Sequence, residues 1–125
     1  MAVVSALMEV ILTVKDMGAQ VAFYRDTLGL TIKAPQAGED PSEAYWVELD
    51  TGACTLALHG GGQRRLGQDA AKVVFRVASV PATRDRLLQL GVPMGDIGSP
   101  APGIEVCDGA DPEGNRFSIE SREDR

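Results

Sequence analysis

VILTV, residues 10–14, is answered later in the chain by VVFRV, residues 73–77. Each run is followed by a stretch with helical periodicity: DMGAQVAFYRDTLGL (16–30) after the first, SVPATRDRLLQLGV (79–92) after the second. In the first stretch Met17, Val21, Tyr24 and Leu28 fall at helical spacing, and Asp16 is placed to cap the N-terminus. In the second, Ser79 is the cap, Pro81 fits the first turn, and Leu87, Leu88 and Leu90 are expected to face inward. Gly29 and Gly91 stand where a left-handed residue stops a helix. A strand and a helix recur together, so the chain is an internal duplication.

Short apolar runs complete each half. After the first helix come LTIKA, AYWVELD and CTLALHG; after the second come VPMGD, GIEVCD and NRFSIE. Turn signals separate them: DTG (50–52), GSPAPG (98–103) and DPEG (111–114). The expectation is an α+β chain of two βαβββ modules, one over residues about 6–60 and one over about 70–121, within a single domain 1–125. AGEDPSE (37–43) and the connector GGGQRRLGQD (60–69) read as polar loops, the second able to move.

Strand residues alternate between faces. Val10, Leu12 and Val14 share one face, as do Val73, Phe75 and Val77, Leu56 and Leu58, and Phe117 and Ile119. All are apolar, so this face belongs under the helices. Tyr45, Val47 and Leu49 are assigned to the same side. The opposite face carries Glu9, Ile11, Thr13, Trp46, Glu48, Ala57, His59, Lys72, Val74, Arg76, Arg116, Ser118 and Glu120. A mixed polar face is either solvated or lines a cleft. Several ionisable groups beside Trp46 favour the cleft.

Composition narrows the partners. The chain has 125 residues, 12 basic and 18 acidic, for a net charge of −6, with a pI of about 4.7. Nucleic acid and anionic membrane surfaces are disfavoured, since both need a basic face. No apolar run is long enough to span a bilayer, and the apolar start lacks a basic leader, so it reads as a strand. Cys54 and Cys107 lack CxxC spacing and read as free thiols of a reducing, cytoplasmic setting.

VKDMGAQVAFYRDTLGLTI (14–32), VELDTGACTLALHG (47–60), VVFRV…LLQLGV (73–92) and DPEGNRFSI (111–119) together resemble the vicinal oxygen chelate superfamily of glyoxalase I, bleomycin-resistance proteins, fosfomycin-resistance transferases and extradiol dioxygenases. The resemblance implies curled mixed sheets forming a cleft, helices on the outer face, and often a homodimer. In metal-using members four strand positions hold a divalent ion. Carried onto this chain they fall at Glu9, Ala57, Lys72 and Ser118. Only Glu9 is an ordinary ligand. An ammonium about 4 Å from a divalent ion costs roughly 8 kcal/mol at an effective dielectric of ~20. The expectation is therefore no metal and no cofactor, with Lys72 in the cation's place and paired to Glu9.

His59 reads as a strand-end histidine at the cleft rim, with a salvage metal site from Glu9, His59 and Glu120 as the alternative. Trp46 is either a ligand-stacking wall or core filler, and Arg76 and Arg116 either hold an anion or are solvated. The leading function is small-molecule binding of the bleomycin-resistance type, with Trp46 stacking and Glu48 or Glu120 pairing a cationic or polar aromatic ligand. A metal-free enzyme using Glu9, Glu48 or His59 as proton-transfer base comes second, and a metal-dependent lyase, isomerase or dioxygenase third.

Overall fold

The computed structural model describes residues 7–61, 65 and 70–123. The chain divides into two compact units, Met1–Arg64 and Arg65–Arg125. In unit 1, β1 (Glu9–Val14) leads into α1 (Met17–Val21), then β2 (Thr31–Ala34), β3 (Trp46–Asp50) and β4 (Thr55–Gly60). Unit 2 repeats the order with β5 (Val73–Arg76), α2 (Val80–Gln89), β6 (Gly98–Ala101), β7 (Ile104–Ala110) and β8 (Arg116–Arg122). Each unit holds one four-stranded sheet, in the order β1-β4-β3-β2 or β5-β8-β7-β6. The first and last strands of each module pair in parallel and the remaining pairs are antiparallel. The α+β class and the two βαβββ modules are as the repeat implied.

The expected caps form. Asp16 accepts from the Ala19 amide at 3.0 Å and Ser79 from the Ala82 amide at 3.2 Å. Gly29 and Gly91 take φ of 82° and 84°, the left-handed conformation that ends a helix without a Cβ clash. The first helix is not uniform, however. After α1 the chain widens into a π-helical stretch, Ala22–Thr27, closed by the Leu28 amide on the Phe23 carbonyl. Side-chain spacing alone does not separate the two, because both turn Phe23 and Tyr24 inward.

The core lies between helix and sheet in each unit. Leu12, Val14, Val47, Leu49, Leu56 and Leu58 are buried with Met17, Val21 and Tyr24 in unit 1. In unit 2, Val80, Leu87, Cys107, Phe117 and Ile119 are buried. Three inward assignments from sequence are corrected. Leu88 is 42% exposed because it is turned about 100° from the inward Leu87, and Leu90 is 45% exposed because α2 ends at Gln89 and Leu90 is its C-cap, at φ −85° and ψ 5°. Tyr45 is 64% exposed, because β3 begins only at Trp46 and strand alternation does not reach it.

The strand expected at VPMGD is also displaced. The Val92 amide instead closes α2 on the Leu87 carbonyl, and residues 93–95 only touch β7, through the Ala110 amide on the Pro93 carbonyl and the Gly95 amide on that of Asp108. Met94 contributes only an isolated bridge to Gly109. The strand forms one segment later, at Gly98–Ala101, within what reads as a turn. It is an edge strand, which is where Pro100 is tolerated. Most of the connector 60–69 lies outside the described residues.

DPEGN is a tight turn feeding β8. Asp111 Oδ1 accepts from the amides of Glu113 (2.9 Å) and Asn115 (2.8 Å), and its Oδ2 from Asn115 Nδ2 (2.7 Å). Gly114 sits at φ 80°. Both Asp111 and Asn115 are buried, so removing the acceptor strands several donors. Asp111→Ala should lower unfolding stability by about 2–4 kcal/mol, measured by urea denaturation. An unchanged midpoint would show that this carboxylate does not hold the turn.

Candidate functional site

Register fixes the face opposite each helix. In unit 1 it is built of three rows across β1, β4 and β3: Thr13, His59 and Trp46; Ile11, Ala57 and Glu48; Glu9, Thr55 and Asp50. In unit 2 the rows across β5, β8 and β7 are Arg76, Glu120 and Val106, then Val74, Ser118 and Asp108. Arg116 faces Ala110 in the next row, and Lys72 immediately precedes β5. Glu9, Trp46, Glu48, Ala57, His59, Arg76, Ser118 and Glu120 thus stand in these rows, Ala57 and Ser118 buried at their centres, while Lys72 lies outside the register. Ile11 and Val74, at matching places in the two modules, are both 51% exposed.

The upper row of unit 1 is an aromatic platform. Trp46 and His59 meet edge to face, with ring centroids 5.8 Å apart at 90°. Tyr45 meets His59 at 5.0 Å and 67°. Trp46 Nε1 donates to Glu48 Oε2 at 2.8 Å. Trp46 is thus not core filler: it stands on the open face, with its ring orientation fixed at both ends. The hydrogen bond leaves the other Glu48 oxygen available. At the far end of the sheet Lys33 donates to Thr55 Oγ1 at 2.7 Å, beside a concavity of about 460 Å³ that Asp50 and Cys54 also line.

In unit 2 the centre is a polar cluster. Ser118 Oγ donates to Asp108 Oδ1 at 2.5 Å, and Lys72 Nζ lies 3.6 Å from the same oxygen. The Ser118 hydrogen bond, with help from the Lys72 and Arg116 charges, holds the Asp108 carboxyl below the usual carboxylate range, against the opposing effect of burial. Sequence reading missed Asp108. The signal was available, because Asp108 faces Ser118 as Glu48 faces Ala57. Asp108 supplies Lys72 with a carboxylate from within unit 2. Glu120 Oε2 accepts from Arg122 Nε at 2.6 Å. Cys54 and Cys107 are free cysteines, and burial pushes the Cys107 thiol up.

The positions that hold a metal in metal-using relatives do not present a fitting donor set. Ala57 has no donor and is buried. Ser118 donates its hydroxyl hydrogen bond to Asp108, and the Lys72 ammonium lies beside that carboxylate. A divalent ion needs several deprotonated oxygen or nitrogen donors. Within each unit, among the described residues, no three His, Cys, Asp or Glu gather to hold one.

The profile of the glyoxalase-like domain family matches residues 9–120. The chain belongs to that family, and with it to the vicinal oxygen chelate superfamily. No curated protein matches it. Among solved structures it is similar to a lactoylglutathione lyase from Agrobacterium tumefaciens, with 22% identity, 96% of each chain covered and a TM-score of 0.73. It is similar to TnmS3, an antibiotic-binding protein from Streptomyces sp. CB03234, with 20% identity, 98% of this chain and 100% of that one covered, and a TM-score of 0.75. It is also similar to the virulence protein STM3117 from Salmonella typhimurium, with 20% identity, coverage of 97% and 99%, and a TM-score of 0.72. At these identities the likeness is one of fold.

The lowered Asp108 carboxyl gives a signed prediction. Its contribution to stability is present above the unfolded carboxylate value and is lost as pH falls through the folded one. In Ser118→Ala the Asp108 midpoint, followed by carboxyl NMR, should move upward, with acid unfolding beginning at higher pH. Exposure of the Asp108 side chain to water keeps the stability change small. A midpoint unmoved by the substitution would show that Ser118 does not set it.

Proposed function

We propose that the protein binds a small organic molecule on its open sheet faces, without a metal at the superfamily position and without need of chemistry. The observation that carries this reading is the platform of Trp46, His59 and Glu48. An indole oriented by its own carboxylate partner, with one carboxylate oxygen left over, suits a planar ligand bearing a positive charge or a hydrogen-bond donor. The half-exposed Ile11 in the next row adds apolar contact. Fold likeness to an antibiotic-binding protein supports the same class of function. No proton-transfer role is needed for Glu9, Glu48 or His59.

The absence of a metal rests on the donor chemistry at Ala57, Lys72 and Ser118. The reading also includes a cytoplasmic setting with both thiols reduced, and a net charge of −6 that turns away nucleic acid and anionic membranes. A homodimer belongs to it on the superfamily resemblance. Light scattering should then give twice the 13.2 kDa chain mass, and a monomer would remove that part.

The sequence holds one tryptophan, so its emission reports on the platform alone. Cationic aromatics, beginning with benzylammonium, should shift or quench Trp46 emission saturably. Glu48→Gln should weaken that binding roughly tenfold. Emission indifferent to every such ligand would sink the reading. Calorimetric titration of Mn²⁺, Ni²⁺ and Zn²⁺ into chelator-stripped protein should show no tight one-to-one binding. Tight binding abolished by Glu9→Gln would instead restore the metal-dependent reactions of the superfamily.

A further inference from the structure

We propose that unit 2 carries an oxyanion subsite, which takes the carboxylate or phosphate group of a small ligand between Arg76 and Arg122. The inference rests on reading the open faces as ligand-binding, and it adds the sign of charge that unit 2 selects. A concavity of about 210 Å³ is lined by Val74, Arg76, Glu120 and Arg122. Register sets Arg76 directly beside Glu120, and Arg122 follows two residues on, on the same face of β8.

The three charged groups have different tasks. Glu120 accepts from Arg122 Nε at 2.6 Å, which fixes the guanidinium and leaves its two terminal nitrogens for a ligand. Arg76 makes no ion pair among the described residues. One carboxylate therefore faces two guanidinium groups, and the concavity keeps a positive charge. Planar guanidinium forks match the paired oxygens of carboxylate and phosphate. The half-exposed Val74 supplies an apolar wall for the body of the ligand.

An exposed arginine alone means little, but the distribution of charge runs against the composition. The chain has 18 acidic and 12 basic residues. This one sheet face nonetheless carries Lys72, Arg76, Arg116 and Arg122 against Asp108 and Glu120. Asp108 is taken up by Ser118 and Lys72 and Glu120 by Arg122. Neither carboxylate forms an ion pair with Arg76 among the described residues.

The test is an amide-resolved NMR titration of the full chain at low ionic strength, where screening of exposed charges is weakest. Phenyl phosphate, benzoate and benzylammonium are titrated into the wild type, Arg76→Gln and, as a control for general charge, Arg84→Gln. Both anions should shift the amides of residues 74–76 and 120–122. Arg76→Gln should weaken the tighter anion roughly tenfold, while Arg84→Gln leaves it unchanged. Preference for phenyl phosphate would identify a phosphate ligand, and preference for benzoate a carboxylate. The inference is overturned if neither anion shifts these amides, or if the two arginine variants respond alike. Benzylammonium shifts at Trp46 without any anion response would overturn this inference alone. Anion shifts at residues 74–76 without a benzylammonium response would overturn the aromatic platform instead.

Discussion

The register of two interior strands, β4 and β8, sets the position of every group on the open faces. Each lies between a parallel neighbour and an antiparallel one. Because side chains alternate with a period of two, a slip of one residue would send Leu56 and Leu58 to the open face and Ala57 and His59 under the helix. The burial of Leu12, Val14, Val47, Leu49, Leu56 and Leu58 opposes such a slip. Fully burying a leucine or valine is worth about 1.5–3 kcal/mol, and a slip would expose several at once. At the head of β8 the Asp111 turn adds a second lock, since its acceptors are matched to the amides of residues 113 and 115. Core packing thus aims the polar face without touching it.

On that shared frame the two modules diverge in chemistry. In the middle row, unit 1 has Ile11, Ala57 and Glu48 where unit 2 has Val74, Ser118 and Asp108. The apolar residue and the carboxylate are kept in both, and the central residue changes. With alanine between them, Glu48 is free to take the indole of Trp46. With serine there, Asp108 is occupied by a hydroxyl and an ammonium. In the next row His59 and Trp46 give way to Glu120 and Val106, and Thr13 to Arg76. One face is therefore aromatic with a spare carboxylate oxygen, and the other is basic with its carboxylates engaged.

Much of the fold could be read from sequence because duplication doubles each signal. VILTV and VVFRV, the two caps and the two glycine stops each support their counterparts, and all took the expected conformation. What the sequence hid was decided by tertiary context. GSPA carries the signature of a turn, yet it pairs because an edge strand leaves one side of its backbone free of ladder bonds. Leu88 and Leu90 are as apolar as Leu87, but Leu88 is turned off the stripe that Val80 begins and Leu90 lies past the end of α2. At the site, alternation placed the residues inside the strands on one face, missed Tyr45 just outside β3, and gave no access to partners. Partners depend on which strand lies alongside, and β7 beside β8 is a long-range fact of the sheet. Asp108 was legible only by treating Glu48 as its template.

A metal site and a salt-bridged cluster make opposite demands on the same positions. A divalent ion needs donors that have surrendered their protons and are held open toward one point. Here Lys72 is an ammonium at the position and Ser118 keeps its proton, donating a hydrogen bond to Asp108. The effect is to set an ammonium of the chain itself 3.6 Å from a carboxylate, an ion pair in place of coordination. Such a charge cannot act as a strong Lewis acid, because an ammonium has no empty coordination position to offer a substrate oxygen. It can still orient a polar group and set which sign of charge the face accepts. A sheet of one register can therefore carry either a set of metal ligands or an internal ion pair on the same positions. This is the physical sense in which one fold serves both lyases and binding proteins.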